Sequence, residues 1–209
     1  MEPAISLRGV VKAFGDFRAV DEVTFDIPAG GIFGLLGPNG AGKSTTIRMI
    51  MDIIRPDTGT ITVLGKPAQE NVRNHVGYLP EERGLYKKMK VLDVLEFQGS
   101  LKGKTPKDAR AEAKTWLEKL EIADWADKKV EELSKGMQQK VQILSTLLHD
   151  PDLIVMDEPF SGLDPVNVRL VKDLLDVMKT AGKIVILSSH QMALVEALCD
   201  RIALIDHGR

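Results

Sequence analysis

Two hundred and nine residues suit one domain, or a core with a modest subdomain, since length over about 150 is a soft prior on domain count. With 44% hydrophobic and 28% charged residues, the chain reads as ordinary globular protein, which excludes collagen-like and low-complexity classes. The 28 Lys and Arg against 30 Asp and Glu leave a formal charge of −2, so no basic footprint is present and no nucleic acid partner is expected. A single cysteine, Cys199, excludes an intramolecular disulfide, fits a reducing compartment and reads as a small core residue.

Short β-rich runs bounded by Gly or Pro occur at 5–10, 23–27 and 32–36, and again at 61–63, 76–79, 153–156, 184–187 and 201–205. The first two alternate, as half-buried antiparallel strands do. The later ones are continuous apolar runs separated by helical patterns, the mark of a parallel sheet buried on both faces. A helix is expected over 44–51. Between Pro80 and Pro151 the pattern is helical only, over 91–101, 106–120 and 134–149. Thr105 precedes Pro106 and has Asp108 three residues on, the spacing of a capping box. These elements predict an α/β core over about 1–80 and 151–209 with an antiparallel fringe, and an inserted helical lobe over about 81–150.

The apolar runs are four to six residues long, far short of the roughly 18 that a membrane span needs. Met1-Glu2-Pro3 has neither the basic nor the apolar region of a secretory signal, so a cytoplasmic location is expected. The sequence stops at Asp206-His207-Gly208-Arg209, a turn-like stretch after an apolar strand, which reads as a shortened form of a longer chain. His75 reads as a strand-edge residue, His207 as a turn residue, and His149 as a group favoured by the negative end of a helix.

Gly37-Pro38-Asn39-Gly40-Ala41-Gly42-Lys43-Ser44 fits G-x-x-x-x-G-K-[ST] between a strand and a helix, the context that a phosphate-binding loop requires. Average residue usage yields such a match by accident in only about one chain in a hundred of this length. The loop's backbone N–H groups and the helix N-terminus would face phosphate oxygens, Lys43 would reach the β- and γ-phosphates, and Ser44, followed by Thr45, would ligate Mg²⁺. Further on, Leu153-Ile154-Val155-Met156-Asp157-Glu158-Pro159 is an apolar strand ending in two carboxylates at a sheet's carboxyl edge. Asp157 would hold Mg²⁺, and Glu158 would accept the proton of an attacking water.

Leu133-Ser134-Lys135-Gly136-Met137-Gln138 resembles the LSGGQ signature of ABC-type ATPases, and the rest of the chain is similar to that family over nearly its whole length. Phe14, 29 residues before Lys43, stands where the family carries an aromatic that stacks on adenine. Ser161-Gly162-Leu163-Asp164 resembles the D-loop, and His190 matches the switch histidine that senses the γ-phosphate. Ser134 would cap its helix, giving a second anion-binding N-terminus. The resemblance implies a P-loop NTPase fold of ABC type. It also implies a head-to-tail dimer of two copies, each phosphate loop facing the partner's Ser134, Lys135, Gly136, Met137 and Asp164 across ATP and Mg²⁺.

Two departures stand out. Glu81 occupies the place of the family's usual glutamine; a carboxylate can ligate Mg²⁺ but cannot donate the amide hydrogen bond. Lys135 and Met137 replace the usual glycine and glutamine. Both departures, in YLPEERGLY and LSKGMQQKVQ, resemble exporters of the NatA sodium-efflux and drug-export branch, in which an ATPase subunit at the inner face of the cell membrane drives a separate integral membrane subunit. The expectation is an ATP-hydrolysing transporter subunit. The competing readings are a soluble ABC ATPase acting outside transport, a P-loop kinase, and a nucleotide-gated interaction module with negligible hydrolysis.

Overall fold

The computed structural model describes residues 2–68, 72–82 and 84–209. Met1 and Arg83, both quoted above, lie outside the described residues. The strands in chain order are β1 (Ile5–Phe14), β2 (Phe17–Ile27), β3 (Gly31–Leu36), β4 (Thr58–Val63), β5 (Lys66–Pro67), β6 (Val76–Leu79), β7 (Leu153–Asp157), β8 (Ile184–Ser189) and β9 (Arg201–Leu204). The helices are α1 (Lys43–Ile50), α2 (Val91–Leu101), α3 (Pro106–Lys119), α4 (Lys135–Leu147), α5 (Pro165–Thr180) and α6 (Met192–Leu198).

Among the described residues two sheets form, one of four strands in the order β2-β1-β4-β5 and one of five in the order β6-β7-β8-β3-β9. The first is antiparallel and the second parallel at every pairing. The α/β class with a mainly parallel core and an antiparallel fringe is thus as expected. The run at 61–63 does not join the parallel sheet. It continues from Thr58-Gly59-Thr60 as β4, whose last three residues alternate between buried and half-buried, and it pairs with β1.

The central strands β3, β7 and β8 are apolar up to their carboxyl ends because both of their faces are covered, whereas the edge strand β9 is largely exposed. Ile32, Leu36, Ile154, Met156, Val185 and Leu187 enter one buried cluster with residues of α2 to α6. Their neighbours Phe33, Leu35, Leu153, Val155, Ile184 and Ile186 enter a second cluster with α1 and the antiparallel sheet. A two-residue side-chain period sends successive residues to opposite layers, so a strand between two apolar layers has no polar positions to spare. Among the described residues, no helix is long and apolar enough to cross a membrane.

Thr105 caps α3 by accepting from the Asp108 N–H at 3.2 Å. Its hydroxyl donates to the Asp108 carboxylate at 2.7 Å, so the side chains bond to each other and the reciprocal half of a capping box is not made. Cys199 ends α6 with its thiol against Gly34, where an added Cβ would lie 2.9 Å from the sulfur. Burial pushes that thiol up to about 11, consistent with a packing role. His75 ends a short 3-10 turn before β6 and pairs with Asp152 at 3.0 Å.

His149 corrects the sequence expectation. Its Nε2 lies 3.3 Å from the Val76 carbonyl oxygen, and its Nδ1 is buried without a partner among the described residues. Burial, reinforced by the Lys102 charge, lowers its pKa to about 4, so desolvation outweighs attraction to the helix end and the ring stays neutral. Between its folded pKa of about 4 and its unfolded value near 6.5, only the unfolded chain takes up this proton. Stability therefore rises with pH through that window and is lost as pH falls. His149→Gln, which keeps a donor for Val76, is expected to shrink the difference between urea midpoints at about pH 7.5 and about pH 5. An undiminished difference would remove His149 as its source.

Candidate functional site

Parallel pairing brings separate loops to one edge. Leu36 pairs with Ser189 across β3 and β8, and Asp157 pairs with Ser188 across β7 and β8. The loop after β3, the carboxylates ending β7 and the histidine after β8 therefore emerge together at the sheet's carboxyl edge, the usual place for a ligand in open α/β sheets.

The glycine loop runs straight into α1. Gly42 has φ 106°, and a Cβ there would meet the Ala19 carbonyl oxygen at 2.4 Å, so both backbone and space require glycine. Lys43 is buried and donates to the carbonyl oxygens of Gly37 at 2.8 Å and Pro38 at 3.1 Å. Its ammonium lies 3.6 Å from Glu158 Oε1, and the same oxygen is 3.0 Å from His190 Nδ1.

Asp157 and Glu158 are also buried. Ser188 Oγ donates to Asp157 Oδ1 at 2.5 Å and accepts the Glu158 backbone N–H at 2.9 Å. Glu158 has φ 49°, a left-handed conformation that costs a non-glycine residue about 1–2 kcal/mol. Burial, and after it the negative charge of Asp157, raises the Tyr78 phenol pKa above its ordinary value.

A cavity of about 370 Å³ opens over the loop. Asn39, Gly40, Gly42, Lys43, Ser44 and Thr45 form its floor, with Glu158 and Glu81 on its walls. Gly37 and Pro38 contribute their carbonyls to Lys43 instead, Ala41 is buried, and Asp157 sits behind the wall on Ser188. The hydroxyl of Ser44 and the carboxylates of Asp157 and Glu81 are hard oxygen donors, which suit Mg²⁺ better than a softer metal. A larger depression of about 660 Å³, between β2 and β9, contains neither the glycine loop nor the carboxylates.

The aromatic on the cavity wall is Phe17, not Phe14. The two are register partners across the β1–β2 turn, both more than half exposed, with Lys12 Nζ 5.7 Å from the Phe14 ring centroid.

The second predicted helix N-terminus is built from local hydrogen bonds. Ser134 Oγ accepts the Met137 N–H at 3.3 Å, and Gln138 Nε2 fastens the preceding turn through Val130 O at 3.2 Å and Leu133 O at 3.0 Å. At Gly136 a Cβ would meet Asn167 Nδ2 at 2.3 Å. That amide donates to Asp164 Oδ2 at 2.6 Å, while Asp164 Oδ1 caps α5 through the Val166 and Asn167 N–H groups, each at 3.0 Å. These bonds, led by those from Asn167, lower the Asp164 carboxyl pKa from its ordinary value. Ser134, Gly136 and Asp164 thus form one surface, with Lys135 exposed and Met137 packed partly on the core. None of them lines the cavity over the same chain's glycine loop.

Sequence reasoning missed four residues. Phe17 was legible as the mirror of Phe14 across a two-residue turn. Ser188 is a polar residue ending an apolar run, a signal as plain as that of Asp157. Asn167 and Gln142 carry no such signal: both are ordinary helix residues, and the tie from Gln142 Nε2 to the Glu82 carbonyl oxygen, at 3.2 Å, spans 60 positions.

The profile of a family described as ABC transporter matches residues 20–161. An uncharacterized ABC transporter ATP-binding protein of Bacillus subtilis, YhaQ, is 49% identical over 205 residues, covering 98% of this chain and 69% of its own. The Nod factor export ATP-binding protein I of a Rhizobium species is 40% identical over 209 residues, covering 99% of this chain and 69% of its own. A solved ATP-binding subunit of an ABC transporter superposes with a TM-score of 0.89 at 28% identity, covering 99% of this chain and 87% of that one. The chain belongs to the ABC transporter family. It is an ATP-binding subunit and an ATPase.

Proposed function

We propose that this subunit powers an exporter and hydrolyses ATP at composite sites between two copies of itself. The observation that carries the catalytic part is Glu158, whose Oε1 lies 3.0 Å from His190 and 3.6 Å from Lys43 on the cavity wall. Water attacks the γ-phosphorus, the bond to the β-phosphate oxygen breaks, ADP leaves, and Glu158 takes the proton of the water. His190 orients the carboxylate and meets the γ-phosphate. Lys43 exchanges the Gly37 and Pro38 carbonyls for phosphate oxygens. Ser44, Asp157 and Glu81 would hold Mg²⁺, which supplies charge neutralisation on the phosphates when bound.

The separation of Ser134, Gly136 and Asp164 from the cavity supports the second half of the reading. A helix N-terminus capped by Ser134, with Lys135 beside it, is complementary to phosphate, and its own chain's phosphate loop is elsewhere. A two-fold arrangement of two copies closes both sites with ATP between them. Export is supported by the Nod factor export relative. An integral membrane subunit would meet the exposed apolar side chains Ile53, Tyr86, Phe97 and Leu101, where the Tyr86 and Phe97 rings already contact edge to face at 5.6 Å. Such an apolar patch reads as an interaction surface. It would hold the protein on the inner face of the membrane, and the tie from Gln142 to Glu82 would connect α4 to the Glu81 loop.

Four outcomes are expected. Glu158→Gln should bind ATP, lose turnover by about 100-fold or more and double in mass by light scattering with MgATP; full residual ATPase would overturn the base assignment. Lys43→Ala should instead lose ATP binding. Phe17→Ala should weaken ATP binding at least as much as Phe14→Ala, by about 1–3 kcal/mol for a lost base stack, read by isothermal titration; an effect at Phe14 alone would restore the simple family assignment. Leu101→Glu should release the membrane subunit in co-purification while the isolated ATPase rate stays within about twofold; retention of the partner would move the docking surface elsewhere.

A further inference from the structure

We infer that Ser188 is a positioning residue for hydrolysis, setting the directions of Asp157 and Glu158 with one hydroxyl. The inference rests on the proposed roles of those two carboxylates. Consecutive residues of a strand point to opposite faces, yet both must serve one nucleotide. The chain meets this demand by leaving strand geometry at Glu158, with φ 49°. A left-handed non-glycine residue needs its surroundings to hold it there.

The Glu158 carbonyl accepts the Ser161 N–H at 3.1 Å, and the Glu158 N–H is held by the hydroxyl of Ser188. Ser188 is wholly buried, and β7–β8 pairing places it opposite Asp157. Its single proton goes to Asp157 Oδ1 at 2.5 Å, and a lone pair receives the Glu158 N–H at 2.9 Å. A hydroxyl is one donor and two acceptor positions, and these two bonds use it in both senses. Alanine would leave the Glu158 N–H without its acceptor and Asp157 without its donor; valine, though larger, would do the same. Buried groups that lose a partner tend to move to find another.

The consequence falls on the carboxylate that takes the proton. If the Glu158 backbone relaxes toward strand geometry, its side chain swings away from His190 and from the attacking water. The Ser188 hydroxyl makes its hydrogen bonds to Asp157 and Glu158 and none to the phosphate loop, so the loop is expected to keep its geometry. The expected signature is loss of turnover with retention of ATP affinity.

The test compares Ser188→Ala, Ser188→Val and Ser188→Thr with wild type, in turnover rate, ATP affinity by titration and urea midpoint. Thr and Val share a shape, so their difference isolates the hydroxyl from added bulk. We expect Ala and Val to lose about 10- to 100-fold in kcat, the scale of a small misplacement of a catalytic group. ATP affinity should change by less than about threefold, and Thr should recover most of the rate relative to Val. Wild-type kcat in Ser188→Ala, equal impairment of Thr and Val, or a parallel loss of ATP affinity would each overturn the inference. Glu158→Gln, measured alongside, separates the two readings. If it turns over normally, the base assignment itself falls; if it is inactive while Ser188→Ala is not, only the positioning role falls.

Discussion

The parallel register of β3, β7 and β8 is the constraint on which the site depends. Parallel strands end at the same edge, so pairing Leu36 with Ser189 and Asp157 with Ser188 gathers a glycine loop, two carboxylates far along the chain from it, and a histidine 32 positions beyond Glu158. A slip of one residue in β7 would turn Asp157 to the opposite face and move Leu153 and Val155 into the wrong layer. The register is held by burial on both faces, where the alternating sets from β3, β7 and β8 enter separate apolar clusters. Site geometry and core packing are therefore one requirement.

At that edge, buried charge is tolerated because it is shared. Lys43, Asp157 and Glu158 are each less than a tenth exposed, a costly arrangement for isolated ions. Lys43 is satisfied by two carbonyls and a carboxylate, Asp157 by a serine hydroxyl, and Glu158 by His190 and Lys43. The network can exchange partners, since phosphate oxygens can replace carbonyls around an ammonium with no change in its charge. The helix N-terminus at Ser134 and Gly136 packs closely on Asn167, whose amide donates to Asp164 at the start of α5. None of these residues lines the cavity over the chain's own glycine loop.

Elements whose signals are local were readable from the residues. The strand at 76–79 and the helix at 91–101 have the expected limits, because apolar period and flanking breakers depend only on neighbours. The glycine loop was readable for the same reason: its function is a property of eight consecutive residues and the strand and helix beside them. Legibility failed where environment decided. The 61–63 run reads as a buried parallel strand by composition, yet it lies in the antiparallel sheet. His149 reads as a favourable charge at a helix end, yet burial keeps it neutral. Phe14 and Phe17 are equivalent in a polar sequence, and only the placement of the hairpin over the loop puts Phe17 on the cavity wall.

The sequence by itself determined the class of protein, the phosphate loop, the pair of carboxylates and the second helix N-terminus, because each is written in contiguous residues whose backbone behaviour is local. The tertiary structure decided how these act on one another. It set the left-handed turn at Glu158, the hydroxyl of Ser188 between the Asp157 carboxylate and the Glu158 backbone N–H, the amide of Asn167 against Gly136, and the link from Gln142 to the Glu81 loop. Those contacts join residues from 30 to 60 positions apart. No propensity or spacing encodes them, since they exist only once strand register and layer packing have brought the partners within hydrogen-bond reach.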